Sequence, residues 1–578
     1  MIKRLLGSVR QYWFAALMSP LSMIGEVYME VRIPGIIASI VDNGITPGNI
    51  DVVWQQGLLL VLTALCSLTF GIGSAVFAAK AATGFSRNLR HDMFYRVQQF
   101  DFGNIDKFST SSIITRLTSD VANIQMCFQM MIRMAVRCPM MVILASINVY
   151  RLSPRLCMVY LIALPLLAVG LTVLTKLVFP IFERGFKTID KLNNVVQENL
   201  HGIRVVKSFV RQEKESKKFT DVSGTLYKDF SKAERIMAFN SPMMSAAVYA
   251  CIICISWLGA NMIVASGNTT FTTGNLASMF TYTTQILSGL MMLSMVFVML
   301  TMSRAPMHRC SELLGEQPLL TNPENPVAEI ADGSVEFENV SFRYSKKAGQ
   351  DALNNICVQI KAGMTVGILG GTGSGKSTLV QLIPRLYDVT EGSVKVGGVD
   401  VREYDIKALR DQVAMVLQKN TLFSGTIKDN LRWGNPNATD EEMEHACRLA
   451  CAHDFITSFP DGYDTYIEQE GKNVSGGQKQ RLCIARALLK KPKILILDDS
   501  TSAVDTHTDA QIRKAFAQEI PGTTKLIIAQ RVASVQEADL ILVLDGGKLV
   551  AQGTHEALLK HSQIYREVYD SQVKGGDE

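Results

Sequence analysis

One long stretch of the sequence contains no acidic residue and no lysine or arginine. Between Arg235 and Arg304 there is no Asp, Glu, Lys or Arg, although charged residues make up 19% of the 578-residue chain. The sequence that follows has the mixed composition of a soluble domain. This contrast excludes a uniformly soluble protein and predicts a membrane part followed by a cytosolic part.

Two other signals are missing. The 11 cysteines form no disulfide framework, and Cys251 and Cys254, which have CxxC spacing, lie in an apolar stretch without a second pair. We interpret them as small apolar residues and not as metal or redox ligands. The net charge of +5 is modest, and the basic residues form no stripe with interleaved aromatics. We therefore expect no nucleic-acid partner.

Apolar segments long enough to cross a lipid bilayer fill the first part of the chain. We place six spans, at residues 12–41, 54–79, 134–150, 156–179, 241–265 and 275–303. The first follows a basic start without a convincing cleavage site, so we expect it to be retained. Segments 1–11, 80–133 and 180–235 are rich in Lys and Arg, which predicts a multi-pass protein of the cell membrane with both termini in the cytoplasm.

The two long inner connections have few turn signals, and we expect the membrane helices to continue through them into the cytosol. Their predicted tips are residues 106–120 and 202–219. Within the first and third spans, Glu26, Glu30 and Arg137 are ionisable residues at comparable depth. They form either an interhelical ion pair or a polar patch for a cationic or zwitterionic substrate. The sixth span is rich in methionine, which suits packing, lipid contact or an adaptable binding surface.

A linker with Pro and Asn, at residues 319–334, separates a transmembrane domain (1–318) from a second domain (335–578). In the latter, strands and helices alternate, which indicates an α/β fold. Because this domain contains GGTGSGKST, which fits the phosphate-loop pattern, we predict that it is a nucleotide-binding domain. The predicted fold class is thus a membrane α-helical domain, with six transmembrane helices and long cytosolic extensions, fused to an α/β P-loop ATPase domain.

The sequence GGTGSGKST follows an apolar strand and opens a helix, as a phosphate-binding loop does. Its glycines let backbone N–H groups face phosphates, Lys376 reaches the outer phosphates of ATP, and the Ser377 hydroxyl is a ligand for Mg²⁺. The predicted contact residues are Gly371, Thr372, Gly373, Ser374, Gly375, Lys376, Ser377 and Thr378.

Further along, Asp498 ends the apolar strand KILIL and can orient Mg²⁺ from beside the loop. Gln418 follows another strand. The sequence Ser475-Gly476-Gly477-Gln478 opens a helix and can present N–H groups to a second anion.

In this order, the motifs resemble those of a half-transporter of the ATP-binding cassette (ABC) exporter family, over essentially the whole chain. The resemblance implies that Tyr344 stacks on adenine, that Gln418 joins Ser377 and Asp498 around Mg²⁺, and that SGGQ is the signature. It also implies that the turn SAVD, ending at Asp505, contacts the nucleotide site. Two cassettes would close head to tail, so that each ATP lies between one subunit's phosphate loop and the other's signature.

Two residues differ from the family pattern at positions that the resemblance assigns to ATP hydrolysis. Asp499 stands where the family has the Glu that polarises the attacking water, and Gln530 stands where it has the switch His. Asp is one methylene shorter, and Gln cannot become cationic. The signature is intact. The chain therefore resembles the degenerate-site subunit of heterodimeric bacterial multidrug exporters, and we expect slow hydrolysis at its own site and a different half-transporter as partner.

Several functions stay open at this level. The first is ATP-driven export of small amphipathic drugs or lipids by the heterodimer. The second is a membrane regulator or ATP-gated channel on the same fold, and the third is a homodimeric exporter. Peptides or iron compounds are alternative cargoes.

Overall fold

The structure is a computed structural model that describes residues 1–344, 350–499 and 504–574. The chain divides into two compact units. A helical unit comprises residues 1–98 and 110–316, and an α/β unit comprises residues 99–109 and 317–578.

Long helices joined by short connections make up the helical unit. Its α-helices are α1 Ile2–Leu6, α2 Trp13–Ser39, α3 Ile50–Gln98, α5 Thr110–Thr115, α6 Val121–Leu152, α7 Pro154–His201, α8 Ile203–Ser208, α9 Gln212–Met237, α10 Asn240–Ser266 and α11 Thr273–Gly315. The short helix α4 Phe102–Lys107 lies between α3 and α5 in the sequence but belongs to the α/β unit. Single π-helical stretches at Ile40–Ile45 and Arg116–Asp120 extend α2 and join α5 to α6.

Five helical stretches among the described residues are long and apolar enough to cross a membrane: Ile50–Gln98, Thr110–Leu152, Pro154–His201, Gln212–Ser266 and Thr273–Gly315. They contain the five predicted spans from 54–79 onward. The first predicted span, 12–41, is mostly occupied by the 27-residue helix α2, which is not among the five. Its Glu26, Glu30 and Arg32 lower its hydropathy, because each charged side chain opposes transfer into the bilayer.

The charged residues of the first and third predicted spans do pair. The Arg137 guanidinium donates one hydrogen bond to the Glu26 carboxylate and another, of 2.7 Å, to Glu30 Oε2. Among the described residues, Glu26 Oε2 has no hydrogen-bond partner. The ion pair joins α2 to α6, which leaves open whether the same residues also contact a substrate.

The described residues of the α/β unit form three sheets. Its strands are β1 Val335–Phe342, β2 Leu353–Ile360, β3 Thr365–Gly370, β4 Glu391–Val396, β5 Val399–Asp400, β6 Val413–Val416, β7 Gly425–Thr426, β8 Tyr466–Ile467, β9 Ile494–Asp498, β10 Thr524–Ile528, β11 Leu540–Asp545 and β12 Lys548–Gly553. The first sheet has the order β2-β1-β4-β5 and is antiparallel, and β7 pairs with β8.

The largest sheet has the order β12-β11-β3-β10-β9-β6, with all strands parallel except the edge strand β12. Its parallel strands β9 and β10 are buried along their whole length, as strands covered on both faces are. One apolar core lies between this sheet and the antiparallel sheet, and a second lies on the opposite side under the helices.

The helices of this unit are α12 Lys376–Gln381, α13 Ile406–Gln412, α14 Ile427–Arg432, α15 Asp440–Leu449, α16 His453–Thr457, α17 Gly476–Leu488, α18 Thr506–Glu519, α19 His555–His561 and α20 Gln563–Lys574. Three of them, α14, α15 and α17, begin with a reciprocal capping box, so their N-terminal positions are fixed by the sequence.

The short helix α4 is held on the α/β unit. Asp101 caps it and also accepts hydrogen bonds from the backbone N–H groups of Leu319 (2.6 Å) and Leu320 (2.9 Å). The predicted tip at residues 106–120 is divided between the two units, since residues 110–120 belong to the helical unit. There, buried Asp120 is paired with Arg309 and buried Arg116 with Glu312, which ties this stretch to α11.

Candidate nucleotide site

Four parallel strands end at the edge of the sheet where the predicted site residues lie. The strands β3, β10, β9 and β6 are consecutive neighbours. The phosphate loop follows β3, Gln530 follows β10, Asp498 ends β9, and Gln418 comes two residues after β6. Because the carboxyl ends of parallel strands meet at one edge, residues far apart in the sequence are brought together there.

The phosphate loop has the backbone that its glycines allow. Gly373 and Gly375 have φ angles of +81° and +94°, in the left-handed region. A Cβ atom at Gly375 would come 2.7 Å from the carbonyl oxygen of Ala352, so no larger side chain fits there. The Lys376 ammonium donates to the carbonyl oxygens of Gly370 (2.9 Å) and Gly371 (2.7 Å). The lysine is thus folded back along its own loop, where an outer phosphate can replace these carbonyl groups.

The predicted magnesium ligands Ser377 and Asp498 are in contact. The Ser377 hydroxyl donates to Asp498 Oδ1 at 3.0 Å. Burial raises the pKa of Asp498 from its ordinary value, with a lesser contribution from the neighbouring charge of Asp499. Burial also lowers the pKa of Lys376. A hydroxyl beside a buried carboxylate is an oxygen donor set that fits Mg²⁺, and a bound cation would offset the cost of ionising Asp498.

The two residues that depart from the family pattern bind each other. Gln530 Nε2 donates to Asp499 Oδ2 at 2.8 Å. The backbone N–H of Asp499 also donates to the Ile528 carbonyl oxygen, and Asp499 has a φ of +48°. The residues predicted to replace the family's base and switch histidine are therefore in direct contact, and one oxygen of the Asp499 carboxylate accepts a hydrogen bond from the Gln530 amide.

Tyr344, the predicted adenine-stacking residue, is about half exposed, and its hydroxyl lies 2.9 Å from the Thr378 hydroxyl. Its ring packs edge-on against Tyr387, with ring centroids 5.2 Å apart. The Tyr387 hydroxyl donates to Asp106 Oδ2 at 2.7 Å. Burial and this neighbouring carboxylate raise the pKa of Tyr387. Tyr387 could not be predicted from the sequence, because nothing in its local sequence marks it as a contact of Tyr344.

The signature is built as a helix start. Ser475 accepts a hydrogen bond from the backbone N–H of Gln478 (3.3 Å), and the Gln478 side chain accepts one from the backbone N–H of Ser475 (2.9 Å). This box caps the 13-residue helix α17 and leaves Ser475 and Gly476 exposed. The N-terminus of a helix favours anions, so an exposed one can receive a phosphate from another molecule.

The last two predicted site residues, Gln418 and Asp505, lie just after β6 and at the start of α18. Gln418 is exposed after β6. Asp505 caps α18 by accepting a 2.9 Å hydrogen bond from the backbone N–H of Thr508, which lowers the pKa of the carboxyl. Residues 502 and 503 of the SAVD turn lie outside the described residues.

Comparison with known proteins covers both parts of the chain. Residues 17–291 match the model of the ABC transporter transmembrane region, and residues 353–502 match that of the ABC transporter domain. The chain is 35% identical over 571 residues to the ABC transporter ATP-binding protein YfiB of Bacillus subtilis, covering 99% of this chain and 98% of the relative.

The chain belongs to the ABC transporter family. A second relative is the ABC transporter ATP-binding protein Rv1273c of Mycobacterium tuberculosis, which is 34% identical over 569 residues, or 98% of this chain and 97% of the relative. The fold is similar to that of a bacterial Atm1-family ABC exporter solved with ATP bound, with a TM-score of 0.82, 24% identity and coverage of 98% of both chains.

The resemblance inferred from the motifs is thereby confirmed at the level of the family. This ABC transporter chain is a multi-pass membrane protein that carries its membrane region and its cytoplasmic ATPase domain on one polypeptide. The ATPase of the family couples ATP hydrolysis to transport.

Proposed function

We propose that this chain is one subunit of a heterodimeric ABC exporter, in which its own ATP site retains ATP and hydrolyses it slowly. The observation that carries the proposal is the 2.8 Å hydrogen bond from Gln530 to Asp499 in a chain whose signature is intact. In a homodimer both sites would combine this altered contact with a good signature, and both would be slow.

The residues of the site have distinct roles in this proposal. Lys376 exchanges its two carbonyl partners for the outer phosphates, Tyr344 supports the adenine, and Ser377, Gln418 and Asp498 hold Mg²⁺. When bound, Mg²⁺ neutralises charge on the β- and γ-phosphates. The remaining contact residues are those of the phosphate loop, Gly371, Thr372, Gly373, Ser374, Gly375 and Thr378, with Asp505 nearby.

Slow hydrolysis follows from what Asp499 and Gln530 can do. A general base must lie within hydrogen-bond reach of the proton that it accepts, and Asp499 is short by one methylene. One of its oxygens accepts a hydrogen bond from Gln530 instead. Gln530 can donate to a γ-phosphate but cannot carry a positive charge or move a proton. The site can therefore bind ATP without readily activating water.

The signature Ser475-Gly476-Gly477-Gln478 serves the other ATP. In the head-to-tail arrangement of the family, its exposed helix start faces the nucleotide on the partner's phosphate loop. A partner subunit with Glu and His at the positions equivalent to Asp499 and Gln530 would complete one efficient hydrolytic site. The partner is therefore expected to be a second, different half-transporter.

For the membrane part we propose six spans, with α2 as the first, and a small amphipathic substrate such as a drug or lipid. The proposed domain limits are 1–318, 319–334 and 335–578. Support for the substrate class comes from α11, where Met291, Met292, Met295 and Met302 are exposed in the single chain. Flexible thioethers can adapt to substrates of different shapes.

Comparing the chain alone with the chain co-expressed with a second half-transporter, sought in the neighbouring reading frame, tests the proposal. We expect ATP turnover that is stimulated by amphipathic compounds in the pair, and little turnover in the chain alone. Vigorous coupled turnover by the chain alone would contradict the heterodimer. A pair that binds ATP but shows no substrate-stimulated turnover or transport would favour a regulator or an ATP-gated channel.

A further inference from the structure

The last described helix, α20, has a fixed position. Tyr565 is 1% exposed and belongs to the apolar core under the large sheet. Its hydroxyl lies 2.7 Å from His555 Nδ1 of α19. Tyr569, one turn further on, packs against the same core and lies edge-on to the His555 ring. The end of the chain is thus anchored as far as this turn, and the position of residue 572 is defined by packing.

Gln572 connects this helix to the loop that carries Gln530. Its Oε1 accepts a hydrogen bond from the backbone N–H of Val532, and its Nε2 donates to the backbone carbonyl oxygen of Gln530, each at 2.8 Å. Only a primary amide side chain offers a donor and an acceptor side by side in this way. Gln572 therefore binds both sides of residue 531 with one planar group.

The opposite side of the loop is held by α18. Arg513 donates to the Ala533 carbonyl oxygen at 3.2 Å, and the Ser534 hydroxyl donates to Asp509 at 3.1 Å. A cavity of about 580 Å³ lies against Gln530 and Gln572. The buried side chain of Val532 anchors the loop in the apolar core, and the two hydrogen bonds from Gln572 add backbone contacts on either side of residue 531.

We propose that Gln572 is a positioning residue for the ATP site of this chain. By fixing the backbone on both sides of residue 531, it directs the Gln530 side chain toward Asp499 and toward the place of the γ-phosphate. Retention of ATP then depends on the C-terminal helix, which no motif of the sequence assigns to the site. This inference rests on the proposed ATP-holding function.

The experiment measures how fast ATP leaves this subunit. The full-length chain is purified with its partner subunit in lipid nanodiscs and loaded with radiolabelled 8-azido-ATP and Mg²⁺. After dilution into unlabelled ATP, samples are photolysed at intervals and the two subunits are separated, so that label on this chain reports its own site. The variants are Gln572→Glu, which keeps the shape but loses the donor, and Gln572→Ala. Gln563→Ala on the same helix is the matched control, since Gln563 bonds only within that helix to Glu567 in the described structure.

We expect both Gln572 variants to release nucleotide about three- to tenfold faster than the wild type, the effect of losing one hydrogen bond or two. The control should release it at the wild-type rate. Release from the Gln572 variants at the control rate would overturn the inference. A wild-type chain that retains no label would contradict the proposed function itself, and the inference with it.

A double-mutant cycle separates positioning from general destabilisation. If Gln572 acts through Gln530, then Gln572→Glu should change the release rate by less than about twofold once Gln530→Ala is present, because the interaction it supports is already gone. Equal effects in both backgrounds would show that Gln572 supports the fold alone, and would overturn the inference. Thermal unfolding of each variant identifies any that fail to fold, and for those the truncation of residues 570–578 replaces the point variant and must give the same three- to tenfold effect.

Discussion

Two parts of the α/β unit differ in how far they keep the residues that the family uses for ATP hydrolysis. The signature at the start of α17 keeps its serine, both glycines and its glutamine, and a reciprocal capping box fixes its geometry. At the ends of β9 and β10, by contrast, Asp499 and Gln530, proposed to stand in place of the family's catalytic base and switch histidine, bind each other. One part is intact and the other is altered within a single polypeptide.

This difference indicates which of the two ATP molecules of the proposed dimer each part serves. Loss of function by drift would not selectively spare the signature. An intact signature is useful only if a competent phosphate loop lies opposite. The contrast between α17 and the β9–β10 edge is therefore best explained by division of labour between two different subunits, as proposed above.

The largest effect on ATP turnover is expected from a change in the intact signature. Replacing Ser475 by Ala removes the hydroxyl that caps α17 and that faces the partner's ATP in the proposed dimer. We expect ATP turnover of the assembly to fall about a hundredfold, the usual effect of losing one donor to the transition state. Steady-state phosphate release measures it. Ser458→Ala, an exposed serine of the same unit, is the control and should leave turnover unchanged. A fall of less than about threefold, on the same scale, would place the signature outside the hydrolytic site.

Restoring the family's residues at positions 499 and 530 should have a smaller effect on ATP hydrolysis, in the opposite direction. The double change Asp499→Glu and Gln530→His returns the missing methylene and a group that can carry charge. We expect hydrolysis at this chain's own site to rise about tenfold or more, because a displacement of about 1 Å costs of order a hundredfold. The matched control is the same double change with Lys376→Ala, in which no rise is expected. Absence of a rise without the Lys376 change would show that other features keep the site slow.

The smallest effect is expected from removing the charge of Asp499. In Asp499→Asn the side chain keeps its size, so turnover of the assembly should change by less than about twofold if this carboxylate is not a working base. In the partner subunit, the equivalent change of its Glu to Gln should abolish turnover. A loss of turnover in Asp499→Asn as large as in the partner variant would make Asp499 a catalytic base.

The sequence predicted the local chemistry well, because its motifs are local. GGTGSGKST marks a strand-to-helix loop by its glycines alone, and the apolar run before Asp498 marks a buried strand. It also identified Glu26, Glu30 and Arg137 as candidates for an ion pair. The structure confirms this pair, although α2 itself is not among the five apolar helices.

Contacts between distant residues could not be predicted in the same way. Nothing in the sequence states that β3, β10 and β9 are neighbours, yet this order places Gln530 beside Asp499. Tyr387 contacts Tyr344, and Gln572 contacts the backbone at residues 530 and 532. Such side-chain contacts between distant residues leave no periodic pattern in the sequence. Likewise, α4 is a six-residue helix whose assignment to the α/β unit depends on tertiary hydrogen bonds from residues 319 and 320 to Asp101.

The most direct test of the account is the chemical state of the nucleotide on this chain during turnover. The assembly is allowed to hydrolyse α-labelled 8-azido-ATP, then photolysed, and the nucleotide attached to each subunit is identified as ATP or ADP. We predict that the label on this chain is mainly ATP while the label on the partner is converted to ADP. Conversion to ADP on this chain as fast as on the partner would contradict the existence of an ATP-holding site.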